Sequence, residues 1–271
     1  MKHTIEELQS KAFSYRKRFL ELFTKIGFGH VTTAFSWTEI ATVLYNEIMT
    51  VPNGIDNTDD ADKMVVSKGH GAGMLFPIYE DIGYFTPEQM NNIVRIGGSN
   101  KEIRKLFYPG FDFYGGSLGI GLGMAAGLAK AAKLSEKGWT TFCIVGDAEC
   151  YEGSIWEAIN FAGHNKLDNL IVIVDRNRLG CSDFTEHMLA MEPFAEKWES
   201  FNWDISEVDG HDIKELYDIL SEKSGEQVGK PHCIIANTKK GQGLDYLIDK
   251  PLMHGYMPKG EEVERAFRSL K

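Results

Sequence analysis

The segment GDAECYEGSIWEAINFAGHNKLDNLIVIVDRN, from Gly146 to Asn177, begins at the end of one apolar run and finishes at the end of another. FCIV precedes Gly146, and LIVIV precedes the final Asp-Arg-Asn. Apolar runs of this length, without polar alternation, are typical of strands buried on both faces. Asp147 and Asn177 are 177 − 147 = 30 residues apart, about the length of a helix plus a strand in a parallel βαβ unit. The segment therefore predicts two parallel strands whose polar ends meet at one edge of a sheet.

The rest of the chain repeats this alternation of strand-length apolar runs with longer helical patterns. The runs are Met64–Val66, Phe142–Val145, Leu170–Val174 and His232–Ala236. SWTE at Ser36–Glu39 and TPEQ at Thr86–Gln89 have the form of capping boxes and predict helix starts. This order predicts an α/β fold, a parallel sheet with helices on both faces, in which ligands bind at the carboxyl ends of the strands.

No linker divides the chain, so we expect residues 1–271 to form a single domain. The segments Val51–Asp62 and Leu247–Gly260 have neither periodicity and are predicted to be long loops. Loops of that length in a compact domain are often functional.

Composition excludes several classes of function. A formal net charge of −10 argues against nucleic-acid binding or an anionic membrane surface. The charged N-terminus has no apolar signal region and no run is long enough to span a membrane, so we expect a cytoplasmic protein. The four cysteines, Cys143, Cys150, Cys181 and Cys233, lack the paired spacing of a zinc site and are expected to be reduced.

The carboxylate of Asp147 and the amide oxygen of Asn177 are candidate ligands for a cation. With a nearby carbonyl they would form a hard oxygen site for Mg²⁺ that water and phosphate oxygens complete. The alternative is two ordinary strand-end turns, with Asp147 capping the helix that follows. The residues alone leave both interpretations open.

The same segment resembles the thiamine diphosphate signature, Gly-Asp-Gly at one end and Asn at the other, in the form that transketolases carry. EGSIWEA at Glu152–Ala158 and FAGHNKLDNL at Phe161–Leu170 are similar to the interior of the transketolase version. Ala148 replaces the last glycine of Gly-Asp-Gly, a change that should be tolerated where φ is negative.

Further segments resemble transketolases in the same order along the chain. They are GFGH at Gly27–His30, SKGHGAGML at Ser67–Leu75, GGSLGIGLGMAAG at Gly115–Gly127, VDGHD at Val208–Asp212, TKKGQG at Thr238–Gly243 and MHGYMP at Met253–Pro258. The glycine-rich segment lacks the spacing of a dinucleotide fingerprint and does not follow a clear strand, so a nicotinamide cofactor is not expected.

The resemblance implies a set of site residues. Catalytic roles fall to His30, His70, Tyr108, Glu152 and His254. Cofactor binding falls to His70, Gly116, Ser117, Leu118, Gly146, Asp147, Ala148, Asn177 and His254, and metal binding to Asp147, Asn177 and the carbonyl of Leu179. The metal would be Mg²⁺, with Ca²⁺ or Mn²⁺ as substitutes. Glu152 and Glu157, in a predicted helix, could form an exposed acidic face, but the resemblance implies a proton-sharing or interface role between subunits. His211 is expected to be structural.

Several positions depart from the transketolase pattern. Val31-Thr32 replaces Pro-Gly, Phe28 replaces a small serine, Tyr108 stands at a histidine position and Ile120 replaces a glutamine. These changes leave the two-carbon donor and the acceptor open. Besides ketol transfer from a ketose phosphate, two alternatives stand: a pyruvate-decarboxylating enzyme of the deoxyxylulose-phosphate synthase type, and a non-catalytic scaffold subunit.

By resemblance the chain corresponds to the PP module alone, the part of a thiamine diphosphate enzyme that holds the diphosphate and the metal. Only a short charged tail follows MHGYMP, so we expect the Pyr module, whose glutamate contacts the aminopyrimidine, on a separate chain. The expected assembly is an α2β2 heterotetramer that acts on a sugar or keto-acid substrate. The isolated chain should therefore expose a large apolar face where the partner binds.

Overall fold

The computed structural model describes residues 1–51, 61–95, 112–225 and 228–270. Its centre is a parallel sheet of six strands in the order β2-β1-β3-β4-β6-β5. The strands are β1 (Lys63–Val66), β2 (Phe113–Tyr114), β3 (Thr141–Gly146), β4 (Leu170–Arg176), β5 (Asp204–Asp209) and β6 (His232–Asn237). The predicted α/β fold with a parallel sheet is confirmed.

Helices connect and cover the strands. They are α1 (Ile5–Ile26), α2 (Val31–Ser36), α3 (Thr38–Val43), α4 (Leu75–Asp81), α5 (Pro87–Arg95), α6 (Gly121–Leu134), α7 (Gly153–His164), α8 (Thr185–Met188), α9 (Phe194–Glu199), α10 (Ile213–Gly225) and α11 (Glu261–Ser269). A π-helical turn (Leu44–Ile48) extends α3, and 3-10 turns span Gly69–Met74 and Ala148–Tyr151.

The sheet separates two hydrophobic cores, because successive side chains of a strand point to opposite faces. Phe142 and Ile144 of β3 face one core, together with α1, α3 and α4. Cys143 and Val145 face the other, together with α6, α7 and α9. Each central strand is buried on both sides, which explains why these strands appear in the sequence as continuous apolar runs.

The four strands predicted from apolar runs are confirmed, and two further strands were missed. The missed β5, DISEVD, is an edge strand with half-exposed and exposed positions, so its sequence is mostly polar. The missed β2 has two residues and ends directly before Gly115, so the glycine-rich segment does follow a strand. An edge position and short length remove the apolar run on which the prediction depended.

One of the two predicted helix starts was wrong. Ser36 ends α2, α3 begins at Thr38, and neither helix has a side-chain cap. The Ser36 hydroxyl instead donates to Asp175, and its oxygen accepts from Asn177. The box at Thr86 is confirmed, since Thr86 and Gln89 exchange side-chain and backbone hydrogen bonds.

The loop predictions have mixed outcomes. Leu247–Gly260 contains turns but neither helix nor strand, as expected. Of Val51–Asp62, residues 52–60 lie outside the described residues. All four cysteines are free thiols, and only Cys181 is exposed. Within the described ranges, no helix combines the length and the apolar character needed to cross a bilayer.

Candidate active site

The carboxyl ends of the central strands bring the predicted site residues together. Asp147 follows β3 and Asn177 follows β4, and these strands are neighbours in the sheet. The backbone N–H of Arg178, next to Asn177, donates to the Asp147 carboxylate at 2.6 Å. The prediction that Asp147 and Asn177 converge at one sheet edge therefore agrees with the geometry.

Asp147 is a buried carboxylate with few countercharges. Its other oxygen accepts the Ala148 N–H at 2.7 Å, and the Arg176 guanidinium lies 3.6 Å away. Burial, reinforced by the nearby Asp175, raises the pKa of Asp147 to about 6. Ala148 is not among the residues with positive φ, so the replacement of glycine carries no backbone strain. A bound cation would add positive charge beside the buried Asp147 carboxylate and so stabilise its ionised form.

Asn177 presents its amide oxygen toward the loop that follows β4. This oxygen accepts the N–H of Leu179 at 3.1 Å. Its amide nitrogen donates to Ser36 Oγ and to Asp175 Oδ2, each at 3.2 Å. The carbonyl of Leu179, the third predicted metal ligand, accepts from Lys240 Nζ at 3.3 Å.

Lys240, in the loop after β6, is a buried cation beside this site. Its Nζ also contacts the carbonyl of Gly180 at 2.9 Å and Nδ1 of His254 at 3.1 Å. These partners are neutral, so no direct carboxylate contact balances the ammonium within the described part of the chain. Burial and the charge of Lys68 lower the pKa of Lys240 to about 8. The group would therefore gain from a bound anion.

Lys68, which follows β1, is paired with Asp175 of β4. Both side chains are almost completely buried, and they form a direct ion pair. Burial alone would raise the pKa of Asp175, but the Lys68 ammonium and hydroxyl donors outweigh it and hold that pKa below its usual value. The ion pair joins the segment after β1 to the end of β4.

Three histidines line the same edge. The ring centroids of His30, His70 and His254 lie 4.5 to 5.4 Å from one another. Burial and nearby lysine charge lower the pKa of His70 to about 2 and of His254 to about 4. Burial and Lys240 also lower the pKa of His30. At neutral pH all three imidazoles are neutral, so each has one nitrogen that accepts and one that donates.

Glu149 links the glycine-rich segment to the ends of β1 and β3 through hydrogen bonds. It accepts from Ser67 Oγ at 2.5 Å, from the N–H of Gly119 at 2.9 Å and from the N–H of Gly146 at 3.0 Å. Gly119 has φ of +86°, and a side chain there would meet Glu152 and Ser154. The segment is thus held close to β3 although it contributes few side chains.

The remaining predicted residues have varied placements. Gly116, Ser117 and Leu118 are exposed, next to the buried strand ends. Glu152 is exposed and directly precedes α7 rather than lying within it, whereas Glu157 is inside that helix. Tyr108 lies outside the described residues.

His211 is partly buried and bonds Lys239 and Glu39, and its expected structural role stays a prediction. Its Nε2 accepts the Lys239 N–H at 2.8 Å, so its Nδ1 is the donor to Glu39 at 3.0 Å.

The residues present fit a diphosphate with a divalent cation. No group of three or more His, Cys, Asp or Glu suited to a metal occurs in the described ranges. One carboxylate, one amide oxygen and one carbonyl instead suit a hard cation whose other ligands are phosphate and water oxygens. Lys240 and the imidazoles supply the opposite requirement, cationic and hydrogen-bonding groups for an anion.

Sequence reasoning missed Lys68, Lys240, Asp175, Ser36 and Glu149 as parts of this site. Lys68 and Lys240 stand in SKGHG and TKKGQG, both quoted for their resemblance. A lysine two or three residues after a strand-length apolar run or strand, and directly before a glycine, was the available signal.

Comparisons with known proteins show the family of this chain. The family described as "Transketolase, thiamine diphosphate binding domain" matches residues 10–270. One of the subunits of the apulose-4-phosphate transketolase of Actinobacillus succinogenes is 37% identical over 98% of this chain and 96% of its own length. The 6-deoxy-6-sulfo-D-fructose transketolase subunit SqwG of a Clostridium species is 35% identical over 96% of this chain and 94% of its own length.

A solved structure agrees with this family. The transketolase of Campylobacter jejuni superposes with a TM-score of 0.84 at 26% identity and covers 98% of this chain. The chain spans 43% of that transketolase. The chain therefore belongs to the transketolase family and has its thiamine diphosphate-binding fold. The predicted family, a ketol-transferring enzyme component, and its cofactor, thiamine diphosphate with a divalent metal, are confirmed.

Proposed function

We propose that this member of the transketolase family is the PP subunit of a two-component transketolase, formed by one domain over residues 1–271. It would transfer a two-carbon ketol unit from a ketose or ketose phosphate to an aldehyde acceptor. One observation carries the proposal. The side-chain oxygens of Asp147 and Asn177, which could bind a metal, lie at the same sheet edge as the buried Lys240 ammonium. This arrangement suits a cation and a diphosphate together.

The metal is proposed to be Mg²⁺, held by Asp147, Asn177 and the Leu179 carbonyl. Lys240, His70 and His254 would bind the diphosphate, and the backbone of Gly146 and Ala148 would lie against it. Exposed backbone at Gly116, Ser117 and Leu118 would approach the rings of the cofactor, where side chains would obstruct. Thiamine diphosphate, when bound, supplies the electron sink for breaking and forming the carbon–carbon bond.

The histidines would manage protons at the reacting carbons. Because their pKa values are lowered, His30, His70 and His254 are neutral at pH 7 and can accept a proton from a substrate hydroxyl or donate a hydrogen bond to its oxygen. Glu152 would share protons between subunits from its exposed place before α7. The catalytic role of Tyr108 stays a prediction.

A partner chain would supply the Pyr module. Two relatives that align over almost their whole length are named as transketolase subunits, which supports a two-component enzyme. We propose an α2β2 assembly, located in the cytoplasm, with sites between unlike subunits. Exposed apolar side chains on α6 and α7, Met124 and Phe161, support such a contact.

The test is a donor comparison with the reconstituted enzyme. Hydroxypyruvate and pyruvate are each supplied with an aldose acceptor, thiamine diphosphate and Mg²⁺, and products are identified by mass. The proposal expects two-carbon ketol transfer from hydroxypyruvate that needs both chains. Acetyl transfer from pyruvate would instead support the deoxyxylulose-phosphate synthase type. Failure to bind the cofactor even with the partner present would support a scaffold.

A further inference from the structure

The amide of Asn177 is held in one of its two possible orientations by a buried polar cluster. Within the cluster, Asp175 and Ser36 contact the amide. Lys68 and Thr238 contact Asp175 in turn, and all four residues are buried. Asn177 has a nitrogen and an oxygen at the end of its side chain, and only the oxygen can bind a cation. The cluster therefore bears directly on whether the predicted metal ligand is usable.

Asp175 accepts hydrogen bonds from the other three members of the cluster. Lys68 forms an ion pair with one of its oxygens, and the hydroxyls of Ser36, at 2.7 Å, and Thr238 donate to the other. A carboxylate paired with an ammonium is an acceptor only. The part of Asn177 that contacts it must therefore be the NH₂ group.

Ser36 completes the restraint. Its single hydroxyl proton is donated to Asp175, so the Ser36 oxygen is left to accept from Asn177 Nδ2 at 3.2 Å. The second N–H of the same NH₂ group points to Asp175 Oδ2 at 3.2 Å. Both amide protons are used, and the oxygen is turned toward Leu179.

We propose that Ser36 and Asp175 are positioning residues that fix the Asn177 amide with its oxygen toward the divalent cation. The inference rests on the proposed function, because it assigns Asn177 to the cation of thiamine diphosphate. A flipped amide would present N–H groups to a positive ion. Outer partners of metal ligands commonly change metal affinity by about 10–100-fold when they are removed.

The test compares two hydroxyl deletions on Asp175 that differ in their contact with Asn177. Ser36→Ala removes a donor to Asp175 and an acceptor for Asn177. Thr238→Val removes a donor to the same Asp175 oxygen and the 3.2 Å contact of Thr238 Oγ1 with Ser36 Oγ, but in the described residues Thr238 has no hydrogen bond to Asn177. Mn²⁺ is the probe: its free electron paramagnetic resonance signal is followed during titration into the complex with the partner, at saturating thiamine diphosphate.

Expected results separate this inference from the proposed function. Ser36→Ala should weaken Mn²⁺ affinity about tenfold or more, while Thr238→Val stays close to wild type. Equal losses in the two variants would overturn the positioning role. Absence of Mn²⁺ binding to the wild-type complex would overturn the proposed function, and this inference with it. Should Ser36→Ala not fold, Ser36→Cys replaces it, and an affinity no lower than that of Thr238→Val would overturn the inference.

A double-mutant cycle adds a readout that a purely structural role would not change. Asn177→Asp keeps an oxygen ligand but has no amide to orient. Ser36→Ala should therefore weaken Mn²⁺ binding much less in the Asn177→Asp background than in wild type. An equal effect in both backgrounds would show that Ser36 does not act through the amide.

Discussion

Lys240 is a residue whose charge is costly to the folded chain and useful to the proposed ligand. It is buried, its hydrogen-bond partners are neutral, and its pKa is lowered to about 8. Charged groups without a paired countercharge in low dielectric are often functional. Asp147 is perturbed as well, since burial and Asp175 raise its pKa to about 6 although the Arg176 guanidinium lies 3.6 Å away.

Lys240→Met separates the two contributions. Relief of the buried charge should offset the lost hydrogen bonds to the carbonyls of Leu179 and Gly180, so the thermal midpoint of the cofactor-free chain should change little. Thiamine diphosphate affinity should fall about tenfold or more, because a hydrogen-bonding cation is lost. Calorimetry on both proteins measures the two quantities. Unchanged affinity would remove Lys240 from the diphosphate site.

Among these residues the oxygen ligands were more predictable from sequence than the cations. Asp147 and Asn177 follow apolar runs one βαβ unit apart, so their meeting could be anticipated from spacing. Burial of Lys68 and Lys240 depends on which strands become neighbours, and β1 and β6 lie far apart in the sequence. Asp175 was not predicted as a site residue because it lies within β4 rather than in the loop after it.

Turns at the ends of β1 and β2 come into contact through glycine. A side chain at Gly69 would place its Cβ 1.7 Å from the carbonyl oxygen of Gly115, which is a backbone atom that cannot move aside easily. Gly116, one residue later, has nothing within 4 Å of its Cβ position. The first glycine is required by packing, and the second is free for a ligand to approach.

Gly69→Ala and Gly116→Ala are a matched pair for this difference. The first should lower the free energy of unfolding by about 3 kcal/mol or more through overpacking. The second should change it by less than about 0.5 kcal/mol, yet weaken thiamine diphosphate binding where the methyl group meets the cofactor. Urea denaturation and cofactor titration test each part. Similar losses of stability in both variants would contradict the packing argument.

Glu39 of α3 links α1 to the loop after β5. It pairs with Arg16 at 2.6 Å and accepts from His211. Burial would raise the pKa of Glu39, but Arg16 and His211 outweigh burial and lower it from 4.5 to about 2. A carboxyl group whose pKa is lowered by folding stabilises the fold above its unfolded-state pKa. This contribution is lost as the pH falls toward the folded-state pKa.

Glu39→Gln should therefore cost about 3 kcal/mol of folding free energy at pH 7. The difference from wild type should shrink as the pH falls from 4.5 toward 2, where the native carboxylate protonates as well. Denaturant unfolding at a series of pH values measures this, with the exposed Glu199→Gln as control. A difference that stays constant across this range would contradict the ion-pair explanation.

Elements buried on both faces were predictable and edge elements were not. β3 and β4 are continuous apolar runs because two cores enclose them. β5 lies at the sheet edge, where Glu207 and Asp209 are exposed and the other residues are partly buried, and its acidic residues obscure the apolar pattern of a strand. The failed capping box at Ser36 has a tertiary cause, since the Ser36 oxygen, which a cap would use as acceptor, accepts from Asn177.

The whole molecule is acidic, yet it concentrates cationic and neutral imidazole groups at one edge of its sheet. The formal net charge is −10, whereas Lys68, Lys240 and three histidines lie together. Affinity for an anion is therefore local rather than global. The exposed side chains of Met124 and Phe161 belong to two helices that cover the same face of the sheet.

Phe161→Glu tests the proposed partner surface. A charge on the exposed face of α7 should weaken association with the Pyr-module chain, because a desolvated carboxylate has no partner there. Phe13→Glu on α1, which packs on the other sheet face, should leave association unchanged. Sedimentation of each variant with the partner gives the comparison. Equal association of Phe161→Glu and wild type would exclude α7 from the interface.

Cofactor binding by this chain can be measured by calorimetric titration of thiamine diphosphate and Mg²⁺, with and without the chain encoded beside it. If the strand-end residues hold the diphosphate and its cation, binding should be saturable, should require or be strengthened by the partner, and should be lost in Asp147→Ala. Binding that survives Asp147→Ala unchanged, or no binding in either mixture, would contradict the assignment of this sheet edge to the cofactor.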